Sequence, residues 1–242
     1  MRVQKPGRYT GGELNRVVKN PEEGAIRFAA CFPDTYEIGM SHLGIKILYS
    51  LINERKDTYC ERFFAPWIDM QEQMAELDIP LFSCETKTEL SQFDVIGFTL
   101  QYELSYSTIL NMLDLGGVPL LAKDRHSLKN LVIAGGPCAF NPEPLADFID
   151  AFMVGDGEEQ IIELNRVIAQ GRVEGASRMT ILKRLAGVRG VYVPALYDVA
   201  YNADGTISSM KPNCAEAPEK VLKAIITDLD TAYYPKEIPV PY

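Results

Sequence analysis

Between residues 25 and 170 the chain alternates short, nearly continuous apolar runs with stretches whose apolar residues recur at helical spacing. The runs AIRFAACF (25–32), TYCERFFA (58–65), DVIGFTL (94–100) and LVIAGG (131–136), and the start of DAFMVGDGEEQ, have the continuity of strands buried on both faces. Between them, LGIKILYSLIN puts Leu43, Ile47, Leu48, Leu51 and Ile52 on one helical stripe. MQEQMAEL (70–77) and SYSTILNMLDLGG predict two further helices, the second ending where Gly116 is expected to take a positive φ. The fifth run passes into a helix over GEEQIIELNRVIA. Five successive βα units predict a doubly wound, five-stranded parallel sheet of flavodoxin- or Rossmann-like type, with 2-1-3-4-5 as the default strand order.

The pattern changes beyond residue 170. GVYVPALYDVAYNADGTISSMKPN alternates as a strand pair around the turn Asn202-Ala203-Asp204-Gly205, which predicts a β-hairpin. The last stretch, DLDTAYYPKEIPVPY, is rich in Pro and Tyr without periodicity and reads as a linker. The expected organisation is an N-terminal extension (1–22), a sheet domain (23–172), a helix and hairpin appendage (173–214) and the linker (215–242).

Composition narrows the function. Apolar residues at 47% and charged residues at 24% suit a globular domain, and a net charge of -9 argues against direct nucleic-acid binding. No run of eighteen apolar residues predicts a membrane span, and the first fifteen residues lack the apolar core of a signal peptide. A cytoplasmic location is the expectation. Cys31, Cys60, Cys84, Cys138 and Cys214 form no C-x-x-C pair, so reduced core thiols are expected rather than a zinc or iron–sulfur clip.

The unusual residues fall after the strands. PDTYEIGMSHLG follows the first, TLQYELSY the third, GGPCAFNPEP the fourth and GDGEE the fifth. In an open parallel sheet these loops share the carboxyl edge, where ligands bind. Gly135-Gly136-Pro137 and Gly155-Asp156-Gly157 would let another molecule approach the backbone closely. Glu158 and Glu159 in the following helix complement its dipole and disfavour an anion there. Each feature also has a structural reading: Asp34 and Glu37 as caps or solvated loop residues, His42 as a structural histidine, His126 as exposed, and Trp67, Tyr102 and Tyr106 as core or rim. The convergence of four loops on one edge favours a ligand. No G-x-x-x-x-G-K-[ST], no G-x-G-x-x-G after the first strand and no G-x-S-x-G elbow is present, so the crevice is not a familiar phosphate or acyl-transfer site.

VIAGGP and NPEPLADFIDAFMVGDGEE resemble the last two βα units of the cobalamin-binding domain that precedes many radical-SAM enzymes. With RYTGGELN, FPDTYEIGMSHLGIKILYSLIN, FAPWIDM and GFTLQYELSYSTILNMLDLGG, nearly the whole chain is similar to an uncharacterised bacterial branch of radical-SAM proteins. The resemblance implies a fold of cobalamin-binding type. Such domains carry D-x-H-x-x-G after the first strand, the histidine being the lower cobalt ligand. Here the frame is Asp34, Tyr36 and Gly39, with a phenol where the imidazole belongs. Tyrosine at neutral pH is a poor nitrogen substitute, so cobalamin is expected without a histidine from that position. His42 could reach the cobalt, but nothing in the spacing requires it, and its replacement is expected to leave the cobalt spectrum unchanged. The family's S-x-L after the third strand appears as Thr99-Leu100-Gln101. Gly135 and Gly136 match its Gly-Gly, so these positions would line the channel for the nucleotide tail. The implied cofactor-binding set is Asp34, Tyr36, Gly39, His42, Thr99, Gln101, Tyr102, Gly135, Gly136, Pro137, Gly155 and Gly157, with no catalytic or protein-held metal site.

Radical-SAM chemistry needs C-x-x-x-C-x-x-C to hold a 4Fe-4S cluster that binds S-adenosylmethionine, and this sequence contains none. In similar proteins the barrel that carries it begins just after a segment like the last one here. The expectation is therefore an N-terminal module that is not catalytic by itself and presents a corrinoid, as methyl carrier, to a radical-SAM barrel in cis or in trans. The alternatives are a degenerate, cofactor-free docking or substrate-recognition domain with Tyr36, Trp67, Tyr102 and Tyr106 on its surface, and a flavodoxin-like binder of another small ligand.

Overall fold

The computed structural model describes residues 2–20 and 24–240. The expected boundary between residues 22 and 23 lies outside them. The elements in chain order are α1 (Gly7–Thr10), β1 (Ile26–Phe32), α2 (Tyr36–Ser41), α3 (Leu43–Glu54), β2 (Thr58–Phe64), α4 (Ile68–Leu77), β3 (Val95–Thr99), α5 (Tyr106–Leu115), β4 (Leu131–Gly135), β5 (Ala151–Met153), α6 (Gly157–Val173), α7 (Arg178–Ala186), β6 (Val191–Tyr192), β7 (Tyr197–Tyr201) and β8 (Ile207–Pro212). The main sheet runs β2-β1-β3-β4-β5-β6, and β7 and β8 pair as a separate hairpin. The first five strands are parallel, in the expected 2-1-3-4-5 order.

The period of two along each strand builds two cores. Ile26, Phe28, Ala30 and Phe32 of β1 face one side with Val95, Leu131 and Ile133, under α3, α6 and α7. Ala29 and Cys31 face the other, with Ile96, Phe98, Val132 and Phe152, under α4 and α5. Each fully buried aliphatic or aromatic side chain contributes about 1.5–3 kcal/mol, and both faces are covered, as a parallel sheet requires.

Four details depart from the sequence expectations. A sixth strand joins the sheet: Val191 and Tyr192 pair antiparallel with Met153 and Phe152 of β5. Val191-Tyr192 of GVYV is therefore sheet, and Pro194, which has no N–H for a ladder, separates it from the hairpin. Gly116 stays right-handed at φ -83, and the positive φ falls on Gly117. Gly116 is instead a packing glycine, since an added Cβ would lie 2.6 Å from a Leu90 methyl. The buried face of α3 carries Ile45, Tyr49, Leu51 and Ile52, while Leu43 is exposed. Tyr49 turns that face, because its ring sits under the Arg62 guanidinium, 5.0 Å away, and its hydroxyl accepts from Val17 N–H at 2.7 Å. Finally, the stretch from Ala224 to Val240 makes contacts back to the sheet domain and to the N-terminal extension. Ala224 bridges Gly155, Tyr233 Oη donates to Glu54, and Val240 bridges Leu14.

The hairpin turn is as expected, with Gly205 N–H donating to Asn202 O and Gly205 at φ 84. No helix among the described residues is long and apolar enough to cross a membrane. All five cysteines are free, with Cys31, Cys60 and Cys84 buried.

Candidate functional site

On the α3/α6 face of the sheet, side chains shrink toward the carboxyl edge in β3, β4 and β5, and β1 narrows at Ala30 before it ends on Phe32. Phe28 gives way to Ala30 in β1, Val95 to Gly97 and Thr99 in β3, Ile133 to Gly135 in β4, and Met153 to Gly155 beyond β5. The Phe28 ring lies over Gly97, where an added Cβ would meet it at 2.8 Å. Where Ala30, Gly97 and Gly135 leave space beyond that ring, a cavity of about 210 Å3 remains under α3 and α6. Its inner wall is apolar: Phe28, Ile45, Leu48, Ile52, Ile133 and Ile161.

Toward the outer end the cavity becomes polar. The loops after β1, β3, β4 and β5 bring His42, Thr99, Gln101, Gly135, Gly136, Gly155 and Gly157 together there, joined by Glu158. Two polar atoms in this wall, His42 Nδ1 and Thr99 Oγ1, are buried without a hydrogen-bond partner. Gly157 leaves its approach open, with only Leu48 within 4 Å of an added Cβ. Gly136 sits at φ 122, and an added Cβ would lie 2.7 Å from Leu100 O. Glycine there keeps the β4 loop against the β3 loop, where Leu100 N–H donates to Gly135 O and Cys138 N–H to Leu100 O.

The remaining expected residues lie elsewhere. Tyr36 turns away from the cavity: its ring packs edge-on to Phe64, and its hydroxyl donates to Glu13 at 2.9 Å. Burial, reinforced by Glu13, pushes its phenol pKa far up. Gly39 packs against Phe64, whose ring an added Cβ would meet at 2.3 Å. Asp34 accepts from Tyr102 Oη at 2.9 Å, and both line a separate surface hollow of about 430 Å3 on the α4/α5 side, with Trp67, Gln71 and Asn111. Pro137 opens a short helical turn beyond the cavity. Gly155 lines the cavity, but the backbone that approaches it belongs to this chain, since an added Cβ would lie 2.1 Å from Ala224 O.

Of the proposed aromatic surface, Trp67 and Tyr102 are 48% and 42% exposed, whereas Tyr36 is turned inward. His126 is exposed. Among the described residues no group of three His, Cys, Asp or Glu is gathered to hold a metal ion.

Sequence reasoning missed the cavity's aliphatic wall on α3 and α6 and the mid-strand Gly97. That glycine inside an otherwise bulky strand was the available signal, since it marks a close approach or a deliberate gap. It also missed a buried charge cluster beside Tyr36. Arg62, 1% exposed, pairs with Glu85 at 2.6 Å and Glu13 at 3.2 Å, and Ser83 donates to Glu61 at 2.5 Å. Burial alone would raise the Glu13 carboxyl, but Arg62 and Tyr36 overcome it and hold it below its usual range; burial pushes Glu85 up.

The uncharacterized protein MJ0966 of Methanocaldococcus jannaschii is 25% identical over 150 residues, 61% of this chain, and the chain spans 28% of that relative's length. Among solved structures, the radical S-adenosylmethionine methyltransferase TsrM of Kitasatospora setae, with cobalamin and a 4Fe-4S cluster bound, superposes at a TM-score of 0.45 and 13% identity. That match covers 88% of this chain and 31% of TsrM. The cobalamin-dependent S-adenosylmethionine radical enzyme OxsB, with aqua-cobalamin bound, gives 0.43 at 14% identity, over 82% of this chain and 24% of OxsB. The family described as radical SAM proteins, N-terminal, matches residues 44–194, from the start of α3 to just past β6. That span is more than half of the chain and takes in most of the cavity wall, and the chain belongs to this family of radical-SAM N-terminal domains.

Proposed function

We propose that this chain is the corrinoid-holding module of a radical-SAM protein, which binds cobalamin base-off with its nucleotide tail in the α3/α6 cavity. The observation that carries this reading is the graded cavity: apolar at its inner end, glycine-lined at its mouth, with Thr99 Oγ1 buried and unpartnered. Those residues fit the group. A flat heterocycle suits the Ile45, Leu48 and Ile133 wall, while Thr99 and Gln101 offer hydrogen bonds to its polar atoms. Gly135, Gly136 and Gly157 keep side chains out of the entrance. The phenol of Tyr36 is committed to Glu13 and supplies no cobalt donor, which supports binding without a ligand from that position.

When bound, a corrinoid supplies a cobalt able to carry a methyl group. The chain's own part is to hold and orient it at the carboxyl edge and to keep water from its tail. The partner in this reading is a radical-SAM barrel, in cis or in trans, that holds the 4Fe-4S cluster and S-adenosylmethionine; membership of the family supports that pairing. A cofactor-free docking role is the second reading. It is favoured by the exposed Ile38, Trp67, Ile68, Leu104 and Phe140 on the loops and helix starts of the same edge.

Titration with hydroxocobalamin, read by visible spectroscopy and gel filtration, separates the two. The first reading expects co-elution with a base-off spectrum. It also expects Gly135→Val to weaken binding at least about tenfold, equivalent to about 1.4 kcal/mol, because the added branch projects into the cavity from an unstrained backbone. No retention by the unaltered chain, or equal binding by the variant, overturns it.

A further inference from the structure

The hollow between α4 and α5 lies on the opposite face of the sheet from the α3/α6 cavity, and the proposed function leaves it without a role. Its wall combines one flat apolar surface with several polar side chains. The flat surface is the Trp67 indole, 48% exposed at the start of α4. The N-terminal extension holds it there. Trp67 backbone N–H donates to Tyr9 Oη at 3.1 Å, and the Arg8 guanidinium lies 5.5 Å from the ring centroid. The polar side chains are Asp34 and Tyr102 from the loops after β1 and β3, Gln71 of α4, and Ser107, Thr108 and Asn111 of α5.

Their hydrogen bonds separate the committed groups from the available ones. Pro66 O can only accept, so Gln71 Nε2 donates to it at 2.8 Å and Gln71 Oε1 accepts from Asn111 Nδ2 at 3.2 Å. Asn111 keeps a second N–H to donate. Asp34 is the unbalanced member. Its carboxylate accepts from Thr35 N–H at 2.7 Å and from Tyr102 Oη at 2.9 Å, both neutral donors. These fill two of about four acceptor positions. No lysine, arginine or histidine lines the hollow, and Arg8, which touches the indole, is committed to Glu37 at 2.9 Å. A partly buried carboxylate with neutral partners draws an ammonium group, because a charge-assisted hydrogen bond is about twice as strong as a neutral one.

We infer that this hollow is a recognition site for a small primary amine with a planar or ring-shaped body. The ammonium group binds Asp34, the body lies on the Trp67 indole, and Asn111 bonds to a polar group beside the amine. Phosphates and carboxylates are disfavoured, since Asp34 supplies the charge of the wall and no cation answers it. The amine and its site do not depend on a corrinoid in the other cavity.

Trp67 is the only tryptophan in the chain, so tryptophan fluorescence reports on this hollow alone. The test titrates L-phenylalaninamide, which carries an ammonium group, a ring and an amide, against N-acetyl-L-phenylalaninamide, which lacks the charge. The charged probe should change Trp67 emission saturably, bind at least about tenfold more tightly than the acetylated one, and weaken as salt is added. Asp34→Asn keeps an acceptor for Thr35 and Tyr102 and should abolish the preference, with thermal unfolding as a check on its folding. Equal binding of the two probes by the unaltered chain, a preference that survives in Asp34→Asn, or no saturable change up to about 10 mM would overturn the inference. Displacement of the probe by cobinamide, read by calorimetry, would also overturn it, by assigning the hollow to a corrin ring.

Discussion

Position 36 shows how one residue's chemistry redirects a loop. A tyrosine there reaches Glu13, and Glu13 also pairs with Arg62, which is held by Glu85 and lies against the sulfur of Met40. The first turn after β1 is thereby bolted to the N-terminal segment instead of being presented to a ligand. Three buried charges with one cation between two carboxylates tolerate no missing member, because the survivors would be desolvated without compensation. Arg62→Leu should therefore cost about 3–5 kcal/mol in urea unfolding. A loss below about 1 kcal/mol would mean that water already reaches the carboxylates. The sequence signal was the pair Glu61-Arg62 inside an apolar strand, and charges are rarely buried there unless partnered.

Among the elements, the stretch around Ala224 has the most consequence for the site. Ala224 N–H donates to Val154 O, Asp156 N–H to Ala224 O, and Ile226 N–H to the Asp156 carboxylate. This strap runs along the end of β5 and forms part of the surroundings of the cavity mouth through Gly155. Gly155 has φ 106 and no room for a Cβ, so Gly155→Ala strains the backbone and displaces the strap together. The expected outcome is a loss of about 1–3 kcal/mol and faster proteolysis between residues 215 and 240, read by mass spectrometry of limited digests. Unchanged cleavage would show that the strap holds without that bridge. The glycine was visible in the sequence as a close-approach position, but the identity of the approaching backbone was not. A contact between residues seventy apart carries no local pattern.

At the scale of the molecule the two edges of the sheet differ. The amino edge is closed by ion pairs: Asp94 with Arg172, and Asp150 with Arg178 at 2.6 Å and Arg125 at 3.2 Å. The carboxyl edge is left to loops and the cavity. Around both, buried phenols resist ionisation. Burial raises Tyr36, Tyr49, Tyr59 and Tyr192, and burial with Glu54 pushes Tyr233 up to about 12. In the unfolded chain these groups lose their protons near about pH 10. The unfolded state then binds fewer protons than the folded one, so stability is full below that value and falls as the pH rises through it. Urea midpoints should thus hold to about pH 9 and drop by about pH 11, with the phenolate absorbance of the buried rings appearing only together with unfolding. Phenolate absorbance before unfolding in excess of what the solvent-exposed tyrosines can supply would contradict the burial of these rings. By itself the sequence determined the five βα units and the edge on which the unusual residues gather, because strand and helix periods and post-strand glycines are local signals; the 2-1-3-4-5 order entered as the default for such units and is fixed by the strand pairing. Only the tertiary structure decided that His42 and Thr99 share a cavity while Asp34, Tyr36 and Gly39 do not. It also decided that β6 joins the sheet and that the chain's own end approaches Gly155. Which side of a strand's end a loop residue turns to depends on partners distant in sequence, Glu13 for Tyr36 and Phe32 for His42's ring, and no spacing rule encodes them.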